Sequence, residues 1–201
     1  GDKAKIILHA YTTDKILLFS NFGYFFTIRG TDLPSGRGLG EHLSKMIELK
    51  NDEGIVTLFP FFEGSVVLAS SDGLGFRVKT DQLIASTKSG RKILSLNLNA
   101  SAKSVAFCNG DLIVVVGNNR KMLIFPVNEL PEQNKGKGVI LQRYKDGSLS
   151  DIKVISENQG LTWSMQGGRK REEKSISLWI GKRGSIGKLV PNGFPRPPRF
   201  N

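Results

Sequence analysis

The sequence predicts an all-β protein, a propeller-like array of about four four-stranded blades. Three observations carry that expectation. The 23 glycines among the 201 residues fall mostly between short apolar runs, as a chain with many tight turns requires. Turn formers such as Asn-Gly and Asp-Gly recur between those runs, as hairpins need. Most telling is an internal period. The runs beginning at Ile16, Val66, Ile113 and Leu161 start 50, 47 and 48 residues apart, and Leu33, Leu83, Leu130 and Leu178 repeat that spacing. A third marker, at Ile6, Ile55, Val105 and Ile152, recurs after 49, 50 and 47 residues. Three independent markers on one period define repeat units. Four short strands in about 48 residues is the size of one blade.

Each unit reads alike. A first strand opens it (Lys5–Ala10 in the first unit), and a polar turn leads to a strand of about four residues. A tight turn follows: Asn21-Phe22-Gly23, Ser71-Asp72-Gly73, Asn118-Asn119 or Gln166-Gly167-Gly168. A return strand comes next, as at Tyr24–Ile28 and Lys121–Phe125. The Leu mark ends it, with proline behind it in the first and third units (Pro34, Pro131) and Ile84 or Trp179 in the others. Then comes a Gly-rich basic loop and a last apolar run, Ile93–Leu98 or Val139–Tyr144, read as a strand. Leu39, Leu43, Met46 and Ile47 have helical spacing, but their place in the repeat assigns them to that same last strand. The units fall at about 5–53, 54–103, 104–151 and 152–190, within one domain over 1–190. One blade cannot bury both its faces, so neighbours must pack together. Residues 191–201 are a Pro-rich tail that cannot continue a central strand; docking through Phe194 and Phe200 is preferred over disorder.

Net charge is +11 and uneven. Residues 1–63 carry −1, 64–110 carry +4, 111–156 carry +2 and 157–201 carry +6. That balance implies a polyanionic partner met by the later units. One cysteine, Cys108, excludes a disulfide framework, and with His9 and His42 it makes no zinc set. A reducing, intracellular setting follows. No apolar run approaches the ~18 residues of a membrane span. There is no secretory signal pattern, and a start at Gly1-Asp2-Lys3 reads as a piece of a longer chain.

Gly136-Lys137-Gly138 is not a phosphate-binding P-loop. Pro131 stands where that motif needs its first glycine, and Gly138 where it needs Ser or Thr. Loops of this kind instead present lysines and backbone N–H groups to phosphates. The candidates are Arg77, Lys79, Lys88, Arg91, Lys92, Arg120, Lys121, Lys135, Lys137, Arg143, Lys145, Arg169, Lys170, Arg171, Lys182 and Arg183. Any one of them reads equally well as a solvated surface charge. The set is stronger, because Lys88-Ser89-Gly90-Arg91-Lys92 occupies the place of Lys135-Gly136-Lys137 in the next unit. Lys45 and Lys50 fall outside it. The aromatic residues Phe22, Tyr24, Phe25, Phe26, Phe59, Phe61 and Phe62 lie in the least basic stretch, which marks them as packing residues rather than base-stacking platforms. Trp163 and Trp179 read the same way, and Cys108 as a half-buried strand residue. Neither a Ser/His/Asp set nor a carboxylate pair stands out.

The units resemble the C-terminal repeat of bacterial type IIA topoisomerase A subunits. Asp14-Lys15-Ile16-Leu17-Leu18-Phe19-Ser20-Asn21-Phe22-Gly23 is similar to that family's D-x-(I/L)-L-x-F-(S/T)-x-x-G signature. The Leu33-Pro34 and Leu130-Pro131 marks with their basic loops also match. Gly136–Asp151 and Gly193-Phe194-Pro195 look more like the topoisomerase IV branch, of the alphaproteobacterial type, than like gyrase. The resemblance implies a β-pinwheel, whose blades exchange strands and whose basic rim binds and bends duplex DNA without reading sequence; with about four blades, an open or spiral array is expected. It implies no catalytic residue and no cofactor here, with ATP and Mg²⁺ used elsewhere in an A2B2 enzyme that decatenates and relaxes DNA. It also implies a monomeric isolated domain and a bacterial, cytoplasmic, chromosome-associated setting, at times peripheral at the inner membrane. The gyrase Q-R-R-G-G-K-G box is missing; Gln133–Gly138 is its nearest echo. The gyrase A protein and a protein-interaction propeller remain the alternatives.

Overall fold

The computed structural model describes residues 14–32, 39–165 and 167–201. The first strand at Lys5–Ala10, the Leu33-Pro34 mark, Arg37, His9 and Gln166 lie outside them. In chain order come β1 (Lys15–Ser20), β2 (Tyr24–Arg29), α1 (Leu39–Met46), β3 (Ile55–Pro60), β4 (Ser65–Ser70), β5 (Leu74–Lys79) and β6 (Arg91–Lys92). Then follow β7 (Ala102–Phe107), β8 (Leu112–Gly117), β9 (Lys121–Pro126) and β10 (Val139–Ile140). The last are β11 (Leu149–Ile155), β12 (Leu161–Ser164), β13 (Lys170–Glu173) and β14 (Lys188–Leu189).

Each unit contributes one antiparallel hairpin: β1–β2, β4–β5, β8–β9 and β12–β13. The tight turns between them fall where the sequence places them. Gly23 and Gly73 both sit at φ +85°, and the equivalent Arg120 is held at +66°. A side chain other than glycine is uncommon there, and Arg120 does a second job at the C-terminal tail.

The hairpins are completed by strands from the following unit. The three full sheets have the orders β3-β1-β2-β6, β10-β5-β4-β7 and β11-β8-β9-β14. The opening strand of a unit lines the outer edge of the hairpin before it, and the closing strand lines that hairpin's other edge. This is the strand exchange that the resemblance implies. β12–β13 remains a two-stranded sheet, so the fourth blade is not the four-stranded sheet that the period alone suggests.

Sandwiched strands carry continuous apolar runs because both faces are covered. Ile16 to Phe19 in β1, Val66 to Ala69 in β4 and Ile113 to Val116 in β8 are all wholly buried. Successive residues feed different cores, as a period of two dictates. Leu17, Phe19 and Phe25 meet Val66, Leu68 and Phe76 between the first two sheets. Val67 and Ala69 meet Ile113, Val115 and Phe125 between the second and third. Val114, Val116 and Ile124 meet Leu161, Trp163 and Trp179 at the fourth hairpin. The cores therefore run in series, and among the described residues none joins the fourth hairpin back to the first sheet.

Two expectations are corrected. Leu39–Ile47 is not a strand: α1 spans Leu39–Met46. Leu43, Met46 and the buried Ile47 pack on Ile16, Leu18, Phe26 and Ile28, the face of the first sheet turned away from the second. With no preceding hairpin for this segment to edge among the described residues, the helical spacing prevails over the repeat. The closing strands are also two residues long rather than six, and Ile93–Leu98 is not a strand, because β6 lies just before it at Arg91–Lys92. After β6, the N–H groups of Ile93 and Leu94 both donate to Gly23 O at 3.0 Å, at the limit of the hairpin, and the chain leaves the sheet. Val139–Tyr144 likewise holds a strand only at β10.

The tail docks. Phe194 and Phe200 are 3% and 1% exposed and pack with Trp163. Phe200 O accepts from Ser164 N at 2.9 Å, covering the edge of β12 that an opening strand covers elsewhere. Phe200 N donates to Asp151 Oδ2 at 2.9 Å, and Ser150 Oγ to Pro198 O at 2.6 Å. Burial raises the Asp151 carboxyl from its ordinary value, against hydrogen bonds from the Phe200 and Ile152 N–H groups and Ser104. Arg120, from its left-handed turn, donates to Pro195 O and Phe194 O at 2.8 and 2.9 Å.

Phe200→Ala should lower unfolding free energy by about 3–5 kcal/mol, the cost of emptying a buried phenylalanine site. A urea melt followed by tryptophan fluorescence reads the change. A loss below about 1 kcal/mol would mean that the tail is an accessory rather than part of the last core.

Candidate nucleic-acid interface

The closing loops of the units carry most of the predicted basic residues, and the fold lays these loops edge to edge. Lys88 O accepts from Glu48 N at 2.8 Å, and Lys88 Nζ donates to the carbonyl of Lys45 at the end of α1. Arg91 and Lys92 form β6 on the first sheet, opposite Phe25 and Tyr24. The loop of the second unit then touches that of the third: Gly136 N donates to Ile93 O, and Ser95 N to Gly136 O. The third touches the fourth in the same way, with Gly184 N on Leu141 O and Arg143 N on Ser185 O.

Backbone hydrogen bonding thus joins Lys88, Arg91, Lys92, Lys135, Lys137, Arg143, Lys145, Lys182 and Arg183 into one basic ribbon. All except Arg183 are exposed. Arg183 is half-buried and donates to Ile140 O at 2.7 Å, so it braces the ribbon as well as charging it. Gln142 locks it from beneath: the buried amide donates to Lys121 O and Ile186 O.

Gly138 marks how closely the ribbon is laid on the sheet. It sits at φ +80°, and a Cβ there would fall 2.0 Å from Gly75 O. Only glycine lets the two backbones approach this way. Arg143 divides two shallow grooves on this surface. One of about 670 Å³ is lined in part by Asp72, Tyr144 and Lys145, and one of about 530 Å³ by Lys182, Arg183 and Ser185.

The remaining predicted residues sit elsewhere. Arg77 donates to Leu130 O at 2.9 Å, and Arg120 is committed to the tail. Lys79 ends β5 at the far end of the strand from β10. Lys121 pairs with Leu189 of β14 and flanks the ribbon. Arg169, Lys170 and Arg171 belong to the fourth hairpin, and no hydrogen bond links them to the ribbon among the described residues. Sequence reasoning misses two ribbon cations. Lys45 falls outside the predicted basic set, but α1 brings it beside Lys88. Lys188, exposed in β14, continues the fourth loop; its place just after Gly187 in a closing loop is the signal for it.

The packing readings hold for the buried Phe25, Phe26, Phe59, Trp163 and Trp179. Cys108 is half-buried, and burial pushes its thiol up to about 11, so it is no nucleophile at neutral pH. Among the described residues, no group of three or more His, Cys, Asp and Glu could hold a metal ion.

A series of hairpins completed by strands from the next unit, with the basic loops on one ribbon, is a β-pinwheel of the kind found in type IIA topoisomerase A subunits. The chain belongs to the DNA gyrase C-terminal domain family, whose β-propeller model matches residues 14–61, 64–109 and 111–156. It is 41% identical over 201 residues to the A subunit of DNA topoisomerase 4 from Rickettsia bellii, covering all of this chain and 27% of that protein. It is 42% identical over 204 residues to the corresponding protein of Caulobacter vibrioides, covering all of this chain and 26% of that one. The chain thus spans about a quarter of the length of these relatives. The fold matches the Escherichia coli ParC C-terminal domain with a TM-score of 0.76 at 23% identity, over 91% of this chain and 79% of that one. A DNA gyrase A C-terminal domain matches with a TM-score of 0.67 at 18% identity, over 89% and 60%.

Gly138→Ala should prise β10 from β5. Hydrogen exchange at the amide of Leu141, which donates to Gly73 O, should accelerate, with at least about 1 kcal/mol of stability lost. Unchanged exchange there would show that the close approach is not needed.

Proposed function

We propose that this chain binds duplex DNA without reading its sequence, along the ribbon of closing loops. On this reading it bends DNA and selects DNA topology for the decatenation and relaxation carried out by a larger topoisomerase IV-type enzyme. The observation that carries the reading is the edge-to-edge hydrogen bonding of three basic loops from different units. Scattered surface charge needs no such arrangement; a track for a phosphate backbone does. The ribbon rests on rigid sheets, and α1 spends its apolar side on the first sheet, which suits backbone contact rather than groove readout.

Membership of the family supports the same reading, as do relatives named as the A component of DNA topoisomerase 4. In the whole protein this reading puts ATP and Mg²⁺ in other regions, within an A2B2 assembly at the bacterial chromosome. No Q-R-R-G-G-K-G box occurs in this chain, so bending rather than full gyrase-style wrapping is the action proposed.

Duplex affinity measured against salt tests this. The log–log slope should fall by about 0.9 for each phosphate contact removed. Charge reversal at Lys88, Arg91 and Lys92, or at Arg143 and Lys145, should reduce both slope and affinity. Reversal at Lys79 and Lys103, which lie off the ribbon, should have little effect. Equal losses at all these sites would defeat a localised track. Absence of duplex binding at low salt would defeat the whole reading.

A further inference from the structure

Among the described residues, the first three hairpins have both edges covered, and the fourth does not. β6, β10 and β14 pair with β2, β5 and β9. The equivalent edge of β13 carries no strand among the described residues, because its sheet is only β12–β13. Arg169, Lys170, Arg171 and Glu172 are exposed there. An open edge is a template for another strand.

The structure says which backbone groups it offers. Met165 N donates to Arg169 O, so residue 169 turns its bonding groups inward to β12. Bonding direction alternates along an antiparallel strand. Arg171 and Glu173 therefore also bond inward, opposite Trp163 and Leu161. Lys170 and Glu172 direct their N–H and C=O groups to the open side.

We propose that β13 pairs antiparallel with β13 of a second copy of this chain, in a two-fold symmetric edge-to-edge dimer, in place of the monomer that the resemblance implies for the isolated domain. Symmetry restricts the register. A two-fold axis normal to the sheet preserves its faces, and directly opposed residues share a face. Opposed residues must then both be even-numbered or both odd-numbered. With Arg171 at the axis, Lys170 of each copy faces Glu172 of the other, and Arg169 faces Glu173. Lys170 and Glu172 are also the residues whose backbone groups point outward, so the hydrogen-bonded pairs and the opposite-charge pairs coincide. Four favourable cross-strand pairs outweigh the single Arg171–Arg171 contact, which Glu173 of each copy flanks on the same face. With Glu172 at the axis instead, Glu172 faces itself and Lys170 faces Lys174. The charge order of Arg169–Glu173 therefore selects one partner and one alignment.

Sedimentation velocity of the 201-residue chain over a concentration series tests the proposal. The native chain should show a reversible monomer–dimer equilibrium. Lys170→Glu and Glu172→Lys each set like charges opposite one another and should each weaken association roughly tenfold or more. The double swap K170E/E172K should restore it, and an equimolar mixture of the two single variants should form heterodimers. These are surface substitutions on exposed side chains, so far-ultraviolet circular dichroism should be unchanged. A monomer at every concentration would make the strand's charges a guard against edge pairing and overturn the proposal. So would a dimer indifferent to the single variants, or a double swap that fails to restore it. Loss of duplex binding in the single variants without any change in association would assign the strand to DNA and overturn it equally. The ribbon variants lie on other loops, so failure of the DNA reading and failure of this one give different results.

Discussion

An isolated two-stranded hairpin cannot shield its edges or both its faces, and the architecture follows from that constraint. Each hairpin takes one strand from the start of the next unit and one from its end. The opening strands β3, β7 and β11 are six or seven residues long and bring apolar residues to the cores. The closing strands β6, β10 and β14 are two residues long and mostly polar or half-buried. The difference decides what each strand leaves exposed. A closing strand fixes the chain to the sheet by a few backbone bonds and leaves the rest of its loop, with its lysines and arginines, at the surface. Because successive hairpins stack, their closing loops must run side by side.

The two ends of the series solve the edge problem differently. At the first sheet, α1 covers the outer face with Leu43, Met46 and Ile47. At the fourth hairpin, the tail sets Phe194 and Phe200 against Trp163 and supplies one backbone bond to the outer edge. Arg120 shows how tightly the second solution is built in. Where the first two hairpins use glycine, the third accepts arginine at φ +66°, and its guanidinium binds two tail carbonyls. The strain of the turn is offset by contacts that glycine could not make.

Much of this is legible in the sequence, for identifiable reasons. The hairpins are visible because their strands are buried on both faces and their turns need left-handed residues, and both demands leave local marks. The period is visible because those marks recur. The docked tail is suggested by two phenylalanines in a Pro-rich segment. Illegible are the features set by partners distant in the chain. Ile93–Leu98 has the alternation of a strand, but the pairing stops at Lys92, opposite the first residue of β2, before that run begins. Arg77, Arg120 and Arg183 look like surface cations, yet each spends its guanidinium on a carbonyl more than forty residues away in sequence. Lys45 stands apart because nothing near it in sequence reveals that α1 ends beside Lys88. The charge gradient along the chain is real, but the ribbon follows the stacking of loops rather than the gradient.

The exchange of closing strands also has a kinetic side. Tyr24 pairs with Lys92, Gly75 with Val139 and Met122 with Lys188. A loop of roughly 65 residues must therefore close before any of these sheets is complete, a costly step in chain entropy. During synthesis a hairpin can form as soon as it emerges, but its sheet stays unfinished until the whole of the next unit has followed. The array must therefore complete itself in order, each blade one unit behind the growing chain. Loss of one closing strand would therefore open the blade before it, not the hairpin of its own unit.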